Sequence, residues 1–101
     1  MYDVCIIGGG VIGCAIAREL SRYHLSVILL ERKSDVAEGT TKANSAIIHA
    51  GYDALPGSEK ARTNVIGHAL FPKWCEELGV PFRRNTSLVV AFKKEDLAGL
   101  H

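Results

Sequence analysis

The spacing Gly8-x-Gly10-x-x-Gly13, set between an apolar run and a helical one, constrains this chain more than any other feature. Before it, Val4-Cys5-Ile6-Ile7 reads as a strand; after it, Cys14-Ala15-Ile16-Ala17-Arg18-Glu19-Leu20 reads as a helix. Strand, glycine turn and helix in that order form the fingerprint of a dinucleotide-binding βαβ unit. Gly8 permits the tight turn out of the strand, and Gly10 keeps side chains away from a pyrophosphate. Gly13 lets the helix lie close to the strand. The helix N-terminus then presents unpaired N–H groups and a positive dipole end to the phosphates.

A second apolar strand, Ser26-Val27-Ile28-Leu29-Leu30, follows and runs into Glu31, placed where such a unit needs a carboxylate for ribose hydroxyls. The helix between the strands is predicted over Val11 to Tyr23. Ile12, Ile16 and Leu20, with Ala15, form the face expected to pack on the sheet, while Arg18, Glu19 and Arg22 face water. His24 falls in the turn before the second strand and reads as a surface residue.

Beyond Glu31 the run from Arg32 to Gly39 is polar and reads as a loop. The small-residue segment from Thr40 to Tyr52 has no helical period, whereas a plain nicotinamide-binding domain has a crossover helix there. Asp53-Ala54-Leu55-Pro56-Gly57 is a turn. Ser58 is the N-cap of a long helix that carries Ala61, Val65, Ala69, Leu70, Trp74 and Leu78 on one face and stops at Gly79. Pro72 predicts a kink or break, because it has no N–H for the carbonyl of His68. Trp74 reads as core packing. Leu88-Val89-Val90-Ala91-Phe92 reads as a buried strand, the adjacent Arg83 and Arg84 as part of a solvated turn, and Glu95 to Ala98 as the start of another helix.

Composition removes several function classes. With 48% hydrophobic residues, 23% charged residues and a net charge of +1, there is no basic excess for nucleic acid. No apolar run approaches the roughly 18 residues of a transmembrane segment, and Met1-Tyr2-Asp3 offers no basic start to a signal peptide. Cys5, Cys14 and Cys75 show no metal-binding spacing and read as reduced thiols of a cytoplasmic protein. The fold class is therefore α/β: the N-terminal part of a FAD/NAD(P)-binding Rossmann-like domain, with one βαβ unit, a long helix and a further strand. Because such a domain needs about five or six strands, residues 1–101 are expected to be the N-terminal portion of a dinucleotide-binding domain in a larger enzyme.

The glycine motif, Glu31-Arg32, the stretch Asn44-Ser45-Ala46-Ile47-Ile48-His49-Ala50-Gly51 and the helix start Gly57-Ser58-x-Lys60-Ala61 together resemble the flavin-dependent oxidoreductases of the D-amino-acid-oxidase-like superfamily. Within it the likeness is to FAD-dependent glycerol-3-phosphate dehydrogenases of the anaerobic type and to L-2-hydroxyglutarate oxidases. The resemblance implies that residues 1–101 are the N-terminal portion of a FAD-binding domain without its substrate domain, and that Gly8, Gly10, Val11, Ile12 and Gly13 hold the FAD pyrophosphate. Glu31 takes the adenosine ribose and Arg32 lies beside the adenine. Thr40, Thr41, Asn44 and Ser45 meet the pyrophosphate or ribityl chain, and Ile47, Ile48 and His49 lie near the isoalloxazine. His49 is then placed to tune the flavin or touch substrate, with a purely structural role as its alternative. No metal and no catalytic base are identified.

The resemblance also implies a small-molecule substrate, glycerol 3-phosphate or a 2-hydroxy acid, in an enzyme that is cytoplasmic or peripheral to the membrane. Related sequences commonly have glycine at the position of Ala46 and arginine at that of Ala43. Two other readings compete: a NAD-dependent dehydrogenase, for which Glu31 is suited but the Gly39–Tyr52 segment is not, and a truncated module without catalysis. The 101 residues alone are expected to be inactive.

Overall fold

The computed structural model describes residues 1–100. The chain divides into two compact units, Met1–Ile47 and the residues from Ile48 onward. The first contains β1 (Val4–Ile7), α1 (Val11–Leu20) and β2 (Val27–Leu30). The two strands are parallel, paired Val4 with Val27 through Ile7 with Leu30, and α1 is their crossover, packed against both. Two bonds close the ladder at its start: Asp3 N–H donates to the Ser26 carbonyl at 2.9 Å, and Ser26 N–H donates to the Asp3 carboxylate at 2.7 Å. At the other end Gly8 N–H donates to the Leu30 carbonyl at 2.8 Å, carrying the pairing into the glycine turn. The Rossmann-like βαβ unit read from the sequence is present.

The face of α1 differs from the expected one. Gly13 is its buried residue, whereas Ile12 and Ile16 are exposed, at 74% and 46%. A Cβ on Gly13 would lie 1.9 Å from the Gly8 carbonyl oxygen and 3.4 Å from the Ile6 side chain. The closest approach of helix to strand is therefore at the glycine, and Ile12 and Ile16 line an open groove beside it. The helix also stops at Leu20, short of the expected Tyr23. Arg22 and Tyr23 donate three residues back, to Glu19 and Leu20, which tightens the chain into a turn.

The second unit is built on α2 (Glu59–Leu78). Ser58 caps it as expected: its hydroxyl accepts from Ala61 N–H at 3.2 Å and donates to the Leu55 carbonyl at 2.6 Å. Gly79 ends it at φ +63°, in the left-handed region, and Val80 N–H donates back to the Cys75 carbonyl at 2.8 Å. Pro72 lies inside the helix without breaking it; the remaining ladder tolerates one missing donor. The buried side chains of this unit are Ala54 and Cys75, while Val65, Leu70 and Leu78 are exposed and Trp74 is not core.

The expected strand Leu88–Phe92 is absent. Leu88 and Phe92 are 87% and 91% exposed, and among the described residues no strand lies beside this segment. A strand needs a neighbour for its backbone groups, and apolar composition alone does not supply one. The expected helix at Glu95 appears as a 3-10 helix, Lys94–Leu100.

Candidate functional site

The glycine turn, the end of β2 and the loop through Thr41 enclose a cleft of about 260 Å³ lined by Gly10, Glu31, Arg32, Glu38, Thr40 and Thr41 among others. Glu31 in its lining is held by Gly9, a residue the motif leaves as an arbitrary x. Gly9 N–H donates to Glu31 Oε2 at 2.7 Å, and its carbonyl accepts from Ala37 N–H at 2.8 Å and from the Cys14 thiol at 3.3 Å. A Cβ on Gly9 would meet Val36 at 3.1 Å and the Glu31 carboxylate at 3.2 Å. The one sequence signal for it was the unbroken run Gly8-Gly9-Gly10.

Glu31 also receives Lys33 N–H on its other oxygen, Oε1, at 2.9 Å. The Lys33 amide, and after it the Gly9 amide, hold its carboxyl below the ordinary value; partial burial opposes them, and the amide and charge of Arg32 add to the lowering. The group is thus kept as a carboxylate, an acceptor suited to vicinal hydroxyls.

Thr41 ties the far side of the loop to the helix: its Oγ1 accepts from Val11 N–H at 2.9 Å. A Cβ on Gly10 would lie 3.2 Å from that oxygen, so the bare backbone at Gly10 leaves an open cradle beside the helix start. Gly8 makes the turn into this cradle at φ +104°, a conformation that favours glycine. The helix has no side-chain cap and no acidic residue in its first turn, and the amides of Ile12 and Gly13 have no intrahelical acceptor. Donors without competition from a carboxylate, beside a space without a side chain, fit a pyrophosphate; Glu31, in the cleft that adjoins them at Gly10, fits a ribose. A second, shallower groove of about 540 Å³ continues along Gly8, Val11, Ile12, Ile16, Thr41 and Asn44. Asn44 is set by its own side chain, which donates to the Thr41 carbonyl and accepts from Ala46 N–H at 2.7 Å.

The structure thus gathers Gly8, Gly10, Val11, Ile12, Gly13, Glu31, Arg32, Thr40, Thr41 and Asn44 around two adjoining clefts of one unit. Ser45 lines neither. Ile48 and His49 belong to the second unit. There His49 Nδ1 lies 3.2 Å from Asp53 Oδ2, and His68 Nδ1–H donates to the His49 carbonyl at 3.1 Å. Ala46, at φ +54°, is one of two non-glycine residues in the left-handed region among the described residues, Ala37 being the other at +62°. No cluster of metal-binding side chains occurs among the described residues.

A βαβ unit with a glycine cradle and a carboxylate at the end of its second strand defines the class as dinucleotide-binding. Residues 3–101 match the model of the family described as FAD dependent oxidoreductase, and the chain belongs to that family. It is 58% identical over 100 residues to a glycerol 3-phosphate dehydrogenase of Caloramator mitchellensis, covering 99% of this chain and 21% of that protein. A glycerol 3-phosphate oxidase of Mycoplasma pneumoniae is 44% identical over 91% of the chain and 24% of its own length. The human mitochondrial L-2-hydroxyglutarate dehydrogenase is 38% identical over 98% of the chain and 22% of its length. The chain therefore spans about a fifth to a quarter of the curated relatives it matches.

Proposed function

We propose that this chain is the N-terminal portion of the FAD-binding domain of a longer oxidoreductase whose substrate is glycerol 3-phosphate, oxidised at a hydroxyl-bearing carbon. The observation that carries this reading is the 58% identity, along nearly the whole chain, to a glycerol 3-phosphate dehydrogenase. When bound, FAD supplies a two-electron acceptor for the hydride leaving that carbon. The residues of this chain bind and orient it. The cradle at Gly8, Gly10 and Gly13, with the backbone of Val11 and Ile12, takes the pyrophosphate; the free donors there are the amides of Ile12 and Gly13, since Val11 N–H is held by Thr41. Glu31 accepts from the ribose hydroxyls, and Arg32 lies beside the adenine. Thr40, Thr41 and Asn44 complete the polar lining; Ser45, outside both clefts, and Ile48 and His49, in the second unit, are expected to reach the cofactor only in the full-length enzyme.

Oxidation of L-2-hydroxyglutarate is the second reading, supported by relatives at 38% identity. Both substrates are small hydroxyl-bearing anions. No helix of the described residues is long and apolar enough to cross a membrane. The three cysteines are free thiols, which suits a cytoplasmic enzyme, soluble or at the membrane surface. Taken alone, the 101 residues are expected to give no turnover, since two strands form only part of a dinucleotide-binding sheet.

The test is anaerobic reduction of the full-length polypeptide, purified with its flavin. Bleaching of the yellow absorbance by glycerol 3-phosphate, and not by L-2-hydroxyglutarate, is the expected result. The reverse preference establishes the second reading, and a colourless protein that binds NADH removes both.

A further inference from the structure

The turn between the small-residue segment and α2 holds an arrangement that the binding site does not account for. His49 is fixed from two directions. Its main-chain carbonyl accepts the Nδ1–H of His68, and its ring nitrogen Nδ1 faces the Asp53 carboxylate at 3.2 Å. Between His49 and Asp53 the chain reverses at Gly51, φ +114°, where a Cβ would lie 3.0 Å from Val65 of α2. The segment thus lies flush on the helix, and a non-helical turn brings residue 53 back onto residue 49.

A carboxylate only accepts, so the hydrogen between Asp53 and a neutral His49 is on Nδ1. The lone pair is then on Nε2, which has no partner among the described residues. The side chains are 64% and 60% exposed, and an ion pair that open contributes little to stability. Its consequence is orientation.

We infer that Asp53 is a positioning residue for His49: it holds the neutral ring in the Nδ1–H tautomer and directs an unprotonated Nε2 outward, while His68 anchors the main chain beneath. On the reading given under Proposed function, on which this assignment of role rests, Nε2 accepts a hydrogen bond from the substrate hydroxyl.

The experiment uses the full-length protein labelled with ¹⁵N in its histidine rings, with the His49 signals assigned through His49→Gln. At a pH where the ring is neutral, wild-type His49 is expected to show a protonated Nδ1 and a bare Nε2; a protonated Nε2 overturns the proposal without any variant. Asp53→Asn is expected to shift the ring toward the Nε2–H form and to lower kcat about tenfold or more, the direction a wrong tautomer gives. KM and flavin content are expected to stay close to wild type, and Asp53→Glu to restore part of the rate. An unchanged tautomer in Asp53→Asn sinks the inference whatever the activity does. If the tautomer shifts while glycerol 3-phosphate reduces neither protein, the positioning stands and the substrate reading fails.

Discussion

Between Gly8 and Thr41 the chain is tied by bonds that reach far along the sequence: Gly9 to Glu31 across 22 residues and Val11 to Thr41 across 30. From Ser58 to Val80 the ties are local instead. A cap hydroxyl, a left-handed glycine and pairs such as Arg62 with Glu59 at 2.8 Å define α2 from within. The first region depends on atoms that are missing, since its glycines leave room for a carbonyl, a carboxylate and a hydroxyl. The second depends on many small contributions. Substitutions in the first region should therefore break a feature outright, and those in the second should weaken one by degrees.

Gly13→Ala tests the contrast at its extreme. The new methyl would sit 1.9 Å from the Gly8 carbonyl oxygen, a backbone atom that cannot swing aside. We expect a loss of about 3 kcal/mol or more, at the upper end for an overpacked contact, together with loss of FAD. Chemical denaturation and flavin content of the full-length protein measure both; retention of either near wild type means that helix and strand separate more readily than the packing indicates.

Glu31→Gln comes next, because it removes one acceptor without adding bulk. The carboxylate serves the amides of Lys33 and Gly9 at once, and a single amide oxygen can face only one of them. Its folded pKa lies below the ordinary 4.5. Its contribution is therefore fully present above that pH and is lost as the pH falls through the lowered folded value. Wild type should lose stability and FAD affinity through that acid window. The glutamine variant should start weaker and show a flatter acid limb, readable by fluorescence titration across pH. Parallel acid limbs in the two proteins would show that Glu31 is not the group responsible.

Ser58→Ala probes the local side of the comparison. Losing a cap hydroxyl costs about 1 kcal/mol, expected here as fraying of the first turn of α2 with little change in flavin content. Hydrogen exchange at Ala61 reads it directly. A loss as large as that of Gly13→Ala would erase the distinction between the two regions.

The same contrast explains what could be read from the sequence. Gly8, Gly10, Gly13, Glu31, Ser58 and Gly79 follow rules that operate within a few residues, or within one βαβ unit: the turn at Gly8, the close approach at Gly13, the Ser58 cap and the Gly79 stop are seen as read, and Gly10 and Glu31 line one cleft. Gly9 and Ala37 escaped notice because their roles come from partners far along the chain. The buried face of α1 was misjudged because apolar periodicity points to Ile12 and Ile16, whereas the close approach at Gly13 decides which side faces the strands. Leu88–Phe92 has the composition of a strand, but a strand is a property of two segments, and the described residues hold only one of them.

The smallest effect is expected at Ala46, where the two kinds of control meet. Its φ of +54° is a local strain, of roughly 1–2 kcal/mol for a residue with a Cβ. Glycine removes it but adds about 0.4–1 kcal/mol of unfolded-chain freedom, so Ala46→Gly should gain about 0 to 1.6 kcal/mol, centred below 1. Ala37→Gly, at φ +62°, is the control. Both amides already have acceptors, Asn44 Oδ1 for Ala46 and the Gly9 carbonyl for Ala37, and neither substitution changes them. Equal small gains in denaturation midpoint would make backbone strain the whole account at both sites. If Ala46→Gly alone also raises FAD affinity, its methyl crowds the bound cofactor, and the cost there belongs to binding rather than to the fold.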